Sequence, residues 1–233
     1  MDYKTFLKLA GNYHKNNRRD TELYFEILKR RNAWNQGTWD LDFVNFIFSQ
    51  YLFKWGRMQR VYPKEIQKKM YSKFLKAGPM ILEESSDLSS LRLLSPRFET
   101  QKDSLAKVYE KICGLNVPYR NRKVRIGPTG TSKILHLLFP NLFVIWDRKW
   151  VREKQGYGET SSEYVRYLSN KREILQGVVQ SFMKQNGGNA ATAIKTIEEL
   201  HADDLSKKGF EMFKEPVTKL LDEINYTIQT KAQ

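Results

Sequence analysis

The sequence has few of the residues that build disulfides and metal sites. It contains one cysteine, Cys113, and three histidines that lie far apart along the chain. A single cysteine cannot form an internal disulfide, and zinc or iron–sulfur sites need several soft ligands at close spacing. We therefore expect no such metal site and no cofactor, with magnesium on carboxylates left open. Cys113 follows Tyr109 on a predicted helix and is expected to be a buried structural thiol.

Long apolar runs are also lacking. Nowhere do about eighteen apolar residues follow one another, the length that a membrane-spanning helix needs. The first ten residues carry no long apolar run after a basic start, which a secretory signal would show. We expect a soluble, intracellular protein, in the cytoplasm or in the nucleoid or nucleus. With 40% hydrophobic residues over 233 positions, the chain has enough apolar surface for one large domain or two lobes.

The alternating pattern of β-branched residues that marks strands is nearly absent. Apolar residues recur mostly three and four positions apart, which predicts an all-α fold with little or no sheet. Asp20 and Asp40 are predicted helix N-caps, and Pro63 suits a first helical turn. The predicted helices cover residues 3–15, 20–31, 40–55, 63–83, 104–113, 129–138, 147–154, 161–184 and 190–200, followed by a C-terminal helix ending near 228.

The predicted helix over 40–55, DLDFVNFIFSQYLFKW, is apolar on nearly every side. Such a helix belongs at the centre of a fold. Trp34, Trp39 and Trp55 flank it and are expected to pack in the core, although an aromatic beside a cleft could also stack on a flipped base. The serine-rich segment 84–102 predicts an ordered loop or a hinge. It suggests two lobes, 40–139 and 1–39 plus 140–233.

Positive charge is concentrated in two segments. The net charge of the chain is +14, from 40 basic and 26 acidic residues. Residues 54–76 hold eight Lys or Arg against one Glu, and residues 118–154 hold nine against two acidic residues, a net of +7 in each. Such focused charge favours a polyanionic partner, while two solvated helix faces without a partner remain the alternative. Arg57, Arg60, Lys64 and Lys68 would share one face of a continuous helix, as a phosphate-binding stripe does.

The segment 124–150, VRIGPTGTSKILHLLFPNLFVIWDRKW, combines a Gly-Pro-Thr-Gly turn, a helix and an apolar run that ends in Trp-Asp. It resembles the helix-hairpin-helix motif and the catalytic segment that follows it in the helix-hairpin-helix DNA glycosylase superfamily. The resemblance covers about residues 105–157. It implies a two-lobed, all-α glycosylase fold, with duplex DNA as the partner. It also implies a turn at Ile126, Gly127 and Gly130 whose backbone N–H groups hold a DNA phosphate.

The same resemblance implies roles for single residues. Asp147 occupies the place of the family's catalytic aspartate, eighteen positions after Thr129, which stands where some members have a lysine nucleophile. This implies a monofunctional DNA glycosylase, in which Asp147 stabilises the cationic sugar or positions the attacking water. Lys133, one helical turn further on, is the alternative nucleophile. His136 lies in an apolar helix and is expected to be a core histidine.

This chain departs from the family at several positions. Arg125 replaces the first hairpin glycine, Arg148 and Lys149 replace a threonine–histidine pair, and the cluster-binding cysteines of some members are missing. Two other functions stay open: a non-catalytic DNA- or RNA-binding protein in which Asp147 only caps a helix, and a helical interaction module for an acidic protein. The predicted nucleic-acid-binding residues are Arg57, Arg60, Lys64, Lys68, Arg125, Gly127, Thr129, Gly130, Arg148 and Lys149.

Overall fold

The structure is mainly helical. The computed structural model describes residues 1–34, 39–56 and 64–231. Helices account for 75% of the chain and strands for 4%, so the predicted all-α class is confirmed. Within the described ranges, no helix has both the length and the apolar character that crossing a membrane requires.

The helices follow the predicted order closely. They are α1 (Tyr3–Asn16), α2 (Arg18–Ala33), α3 (Leu41–Phe46), α4 (Lys64–Glu84), α5 (Lys102–Cys113), α6 (Gly127–Leu138), α7 (Glu153–Gln155), α8 (Ser161–Asn186), α9 (Ala190–Lys207) and α10 (Val217–Lys231). Two segments of π-helix, Ile47–Trp55 and Arg148–Arg152, continue α3 and precede α7.

Of the two predicted N-caps, Asp40 is confirmed and Asp20 is wrong. The carboxylate of Asp40 accepts a hydrogen bond from the Phe43 N–H at 2.7 Å, as an N-cap does. Asp20 is not a cap, because α2 already begins at Arg18 and Asn17 takes the cap position. Asp20 lies instead in the first turn, where a negative charge favours the helix dipole. The predicted start at Pro63 lies outside the described residues.

Among the described residues, the sheet content is one short hairpin. Strand β1 (Asn116–Tyr119) pairs antiparallel with β2 (Arg122–Arg125), with Val117 opposite Val124. The sequence predicted little or no sheet, and the structure contains a little. The pattern gave no strand signal because each strand has four residues, and of the eight only Val117 is buried.

The predicted central helix is confirmed as the middle of the core. It runs as α3 and the π-helix together, and Val44, Ile47, Tyr51 and Leu52 are almost completely buried. Trp34 and Trp39 pack on it as predicted. The surrounding hydrophobic cluster takes residues from α1, α4, α5, α6, α8 and α10, and so from both of the lobes suggested above.

The segment 84–102 is ordered and packed against the rest of the protein. After α4 it forms two 3-10 turns, Ser86–Leu88 and Pro96–Gln101. Leu88 and Phe98 are fully buried, and Leu91 and Leu93 nearly so. Its apolar side chains therefore anchor the loop in the core. Cys113 at the end of α5 is buried with a free thiol, as expected.

Candidate active site

A cavity of about 320 Å³ opens where α1, α2, α6 and α10 meet the two π-helical segments. It brings together Asp147 and Lys133, the two candidate catalytic residues. Its volume lies at the small end of the range typical of ligand pockets. The other lining residues are Tyr13, Asn17, Asp20, Trp55, Gly56, Ile145, Val151, Asp222, Asn225 and Tyr226.

The π-helical segments shape two walls of this cavity. The Gly56 N–H donates to the Tyr51 carbonyl five residues back at 2.7 Å, and the Arg152 N–H donates to the Asp147 carbonyl at 3.0 Å. Such wide turns are rare and recur at functional sites. A side chain on Gly56 would place its Cβ only 2.5 Å from the Leu52 carbonyl oxygen, so this turn requires glycine.

Asp147 is both a helix cap and a cavity residue. Its Oδ1 accepts a hydrogen bond from the Lys149 N–H at 3.0 Å, at the start of the second π-helical segment. The side chain is half-buried and reaches the cavity. The capping bond fixes the carboxylate in position, so the capping role and a catalytic role are compatible.

Lys133 is held beside the cavity by a backbone carbonyl and an aromatic ring. Its Nζ donates to the Gly56 carbonyl at 3.2 Å and lies 5.1 Å from the centre of the Trp55 ring. A carbonyl and an aromatic face both stabilise an ammonium. Across the cavity, burial raises the pKa of Asp222, an effect that Lys219 and Lys133 oppose.

Of the three tryptophans around the central helix, Trp55 lines the cavity. Its indole N–H donates to the Asp20 carbonyl at 3.1 Å, and its ring lies parallel to that of Tyr51 with centroids 5.2 Å apart. Trp34 instead stacks on Phe43 at 3.6 Å. The three tryptophans therefore divide between a cavity wall and the core. Their spacing in the sequence could not distinguish these positions.

In the predicted phosphate-binding turn, Gly127 has free space beside it and Gly130 does not. Gly127 has φ +73°, and a Cβ built there would meet nothing within 4 Å. Gly130 is buried on α6, so its surface is not offered to a ligand. Thr129 is half-buried, with its hydroxyl 3.5 Å from the Trp146 carbonyl and from Arg152 Nη2. It does not line the cavity.

Most of the predicted basic contacts lie on the surface. Lys64 and Lys68 are exposed on α4, and Arg148 and Lys149 directly follow Asp147. Arg57 and Arg60 lie outside the described residues. Arg125 is exposed on the hairpin, which adds three further exposed cations, Arg120, Arg122 and Lys123.

Two of these cations pair with surface glutamates. Arg148 Nε lies 2.7 Å from Glu153, and Arg125 Nη2 lies 2.9 Å from Glu159. Exposed pairs of this kind contribute about 1 kcal/mol or less. The arginines could therefore exchange these glutamates for phosphate groups at little cost.

His136 is a core histidine, as predicted. Its Nδ1 lies 2.7 Å from the Phe143 carbonyl, and its Nε2 lies 2.6 Å from the Tyr24 hydroxyl. A neutral ring satisfies both contacts when Nδ1–H donates and Nε2 accepts. Burial lowers its pKa to about 4.

The other two histidines form a buried cluster that the sequence analysis missed. The Nε2 atoms of His14 and His201 are 3.1 Å apart, although 187 positions separate them along the chain. Glu215 and Glu223 complete the cluster. Burial opposes a charge on His14, but the carboxylates of Glu223 and Glu215 outweigh it and raise its pKa to about 10. The histidines are far apart in the sequence, as noted above, but His14 and His201 are neighbours in the folded protein.

Comparison of the chain with models of protein families, with curated proteins and with solved structures gives no match.

Proposed function

We propose that this protein binds duplex DNA and excises a damaged or mismatched base as a monofunctional N-glycosylase of the helix-hairpin-helix type. The cavity that unites Asp147, Lys133 and Trp55 carries the proposal. An enzyme that acts on a base must take it out of the duplex into a pocket lined by aromatic and polar groups. Tyr13 and Trp55 supply aromatic walls here, and Asp20 and Asp222 supply acidic groups.

Asp147 would stabilise the transition state. As the bond between base and sugar breaks, positive charge develops on the sugar, and a fixed carboxylate nearby lowers the energy of that state. The hydrogen bond from the Lys149 N–H holds the Asp147 carboxylate in one orientation. A water molecule then adds its hydroxyl to the sugar, and its proton balances the charge on the departing base.

Lys133 would act as a cation and not as a nucleophile. Its contacts with the Gly56 carbonyl and the Trp55 ring favour the ammonium, which has no lone pair for attack. The positive charge would stabilise electron density on the leaving base. With Lys133 charged and a threonine at position 129, water is the attacking group, which supports the monofunctional reaction.

DNA would be held around the cavity by the backbone turn and by exposed cations. The open space at Gly127 admits a phosphate to the first turn of α6. Arg148 and Lys149 are exposed beside Asp147, and the basic hairpin leads directly into the turn. These groups contact phosphates and carry no sequence information, so binding would be largely independent of sequence.

The test is an excision assay on duplexes that each carry one lesion, such as uracil, hypoxanthine, an alkylated purine or an oxidised purine. We expect base release and strand breaks that appear only after alkali, with no complex trapped by borohydride. Asp147→Asn keeps a capping oxygen but removes the charge, and should lower the excision rate about 100-fold or more. Asp40→Asn, at another N-cap, is the matched control and should keep full activity.

Each part of the proposal would be contradicted by a different result. Full activity of Asp147→Asn would reduce Asp147 to a cap. A borohydride-trapped complex that Lys133→Gln abolishes would make Lys133 the nucleophile. Salt-dependent DNA binding without excision of any lesion would favour the non-catalytic binding protein.

A further inference from the structure

Four buried side chains from distant parts of the chain converge behind the cavity. His14 comes from α1, His201 from α9, Glu215 from the connection before α10, and Glu223 from α10. His14 Nε2 lies 3.1 Å from His201 Nε2, 3.2 Å from Glu215 Oε2 and 3.0 Å from Glu223 Oε2. His201 Nε2 lies 3.1 Å from Glu215 Oε2. None of the four side chains is more than 1% exposed.

The pairing of His201 with Glu215 and the contacts of His14 with both carboxylates account for part of the arrangement. The Thr21 hydroxyl donates to the Asn17 carbonyl at 3.1 Å, so it accepts from His14 Nδ1–H at 2.8 Å. This contact uses Nδ1, so Nε2 is the nitrogen of His14 that faces the cluster.

Several buried polar atoms of the cluster lack a hydrogen-bond partner. Glu223 Oε2 lies 3.0 Å from His14 Nε2 without the geometry of a hydrogen bond, and its other oxygen lies 3.1 Å from Lys219 Nζ. Glu215 Oε1 and His201 Nδ1 are also buried without a hydrogen-bond partner among the described residues. Buried acceptors without donors are costly unless a cation lies between them.

The spacing matches a metal coordination shell. Zn²⁺ holds nitrogen and oxygen ligands at about 2.0–2.2 Å, so neighbouring ligands in its tetrahedron lie about 3.3–3.5 Å apart. Four of the six distances between the ligand atoms, at 3.0–3.2 Å, lie within a few tenths of an ångström of that edge, and all six are within 4.8 Å. We propose that His14, His201, Glu215 and Glu223 bind one divalent transition-metal ion of the zinc class.

The site has the character of a structural metal centre. Four protein ligands complete a tetrahedral shell and leave no position for substrate, and the two carboxylates neutralise the charge of a divalent ion. Thr21 orients His14 in the manner of the outer partners that fix metal-binding imidazoles. The ion would join α1, α9 and α10.

Lys219 links this cluster to the cavity. Its Nζ lies 3.1 Å from Glu223 Oε1 and 3.0 Å from Asp222 Oδ2, and Asp222 lines the cavity. Metal binding would therefore also fix the position of one cavity wall.

The experiment measures metal directly. The purified protein is stripped with a chelator, and ZnSO4 or CoCl2 is added while bound metal is determined by elemental analysis. We expect one ion per chain, a higher melting temperature with Zn²⁺, and the visible absorption of tetrahedral Co²⁺. His201→Gln and Glu223→Gln should each lower the affinity about 100-fold or more. His136→Gln alters the third histidine, which is buried outside the cluster, and should bind as the wild type does.

Two results would overturn the proposal. One is a stripped protein that is folded by circular dichroism but takes up no Zn²⁺ and melts at the same temperature with and without it. The other is equal uptake by wild type and His201→Gln, which would place the metal elsewhere. If a variant does not fold, the melting and Co²⁺ spectra of the wild type still decide. Because the readout is bound metal, the result is independent of excision activity.

Discussion

At the scale of single residues, polar side chains in the interior form hydrogen bonds with specific partners. Tyr51 donates its hydroxyl to the Lys133 carbonyl at 2.9 Å, and Lys171 Nζ donates to Asn225 at 2.7 Å. Such bonds offset the cost of removing polar groups from water, and removing one partner leaves the other unsatisfied. The stability of this fold therefore depends on the protonation of its buried groups.

His136 predicts a dependence of stability on pH. In the unfolded chain its pKa is near 6.5, whereas burial holds the pKa in the folded protein at about 4. The stabilisation from neutral His136 is complete above pH 6.5 and is lost as the pH falls from 6.5 towards 4. Its full size is on the order of 3 kcal/mol. Urea unfolding at several pH values should show this decline in the wild type.

The control for this prediction is His136→Gln, which can still accept from Tyr24 and donate to the Phe143 carbonyl. The charged groups that act on His136 are Lys219, Arg31 and Glu215, and all three remain in the variant. The pH-dependent loss of stability should therefore be smaller in the variant by the His136 contribution. Identical pH profiles would show that the pKa of His136 is not lowered in the folded protein.

At the scale of elements, the β-hairpin contains an unfavourable residue at its tip. Tyr119 pairs with Arg122, so Arg120 and Asn121 form a two-residue turn, and Arg120 has φ 51°. Glycine is preferred at such a position because a side chain there crowds the backbone. An exposed arginine in this conformation suggests that its charge is needed at the tip, beside the predicted DNA-binding residues.

Arg120→Gly should raise stability and weaken DNA binding together. Removing the side chain from the left-handed conformation should relieve about 1–2 kcal/mol, and loss of the Arg120 contact with the Tyr119 ring cancels about half of this, so the free energy of unfolding should rise by about 0.5–1 kcal/mol. Removing the charge should lower DNA affinity. Asn121→Gly is the matched control, because Asn121 does not have positive φ and should lose stability. A stability gain with unchanged DNA binding would exclude the hairpin tip from the DNA surface.

The elements also differ in how far their boundaries could be predicted. The ends of α1, α5 and α8 follow from periodicity and local caps, so prediction and structure agree within two residues. Helix α9 runs seven residues past its predicted end, because Ala202 and Leu205 continue its buried face. Wide turns at 47–55 and 148–152 have no sequence signal, since they depend on the packing around them.

For the whole molecule, the distribution of charge predicts where DNA binds. We expect Arg148→Gln with Lys149→Gln, and separately Lys64→Gln with Lys68→Gln, to weaken binding to a plain duplex. The log–log slope of affinity against salt should flatten by about 0.9 for each phosphate that the variant no longer neutralises. Lys195→Gln with Lys207→Gln, two exposed positions on α9, is the control.

Each pair of substitutions tests its own part of the surface. A pair whose slope matches that of the wild type does not touch DNA, whatever its formal charge. A control pair that flattens the slope equally would mean that net charge alone governs binding. The comparison thus distinguishes a defined surface from general attraction to a protein of charge +14.

The sequence by itself determined the helical class, the central apolar helix, the buried thiol of Cys113 and the core placement of His136. These follow from periodicity and hydrophobicity, which act between residues close together in the chain. Asp147 and Lys133 also came from one continuous segment, because the motif that suggested them is local.

Only the tertiary structure decided which of these residues share a site. It brought Trp55 and Asp222 to Asp147, buried Gly130, and joined His14 to His201 across 187 positions. Contacts of this kind depend on how helices pack, and no spacing in the sequence records the distance between two helices that lie far apart in the chain.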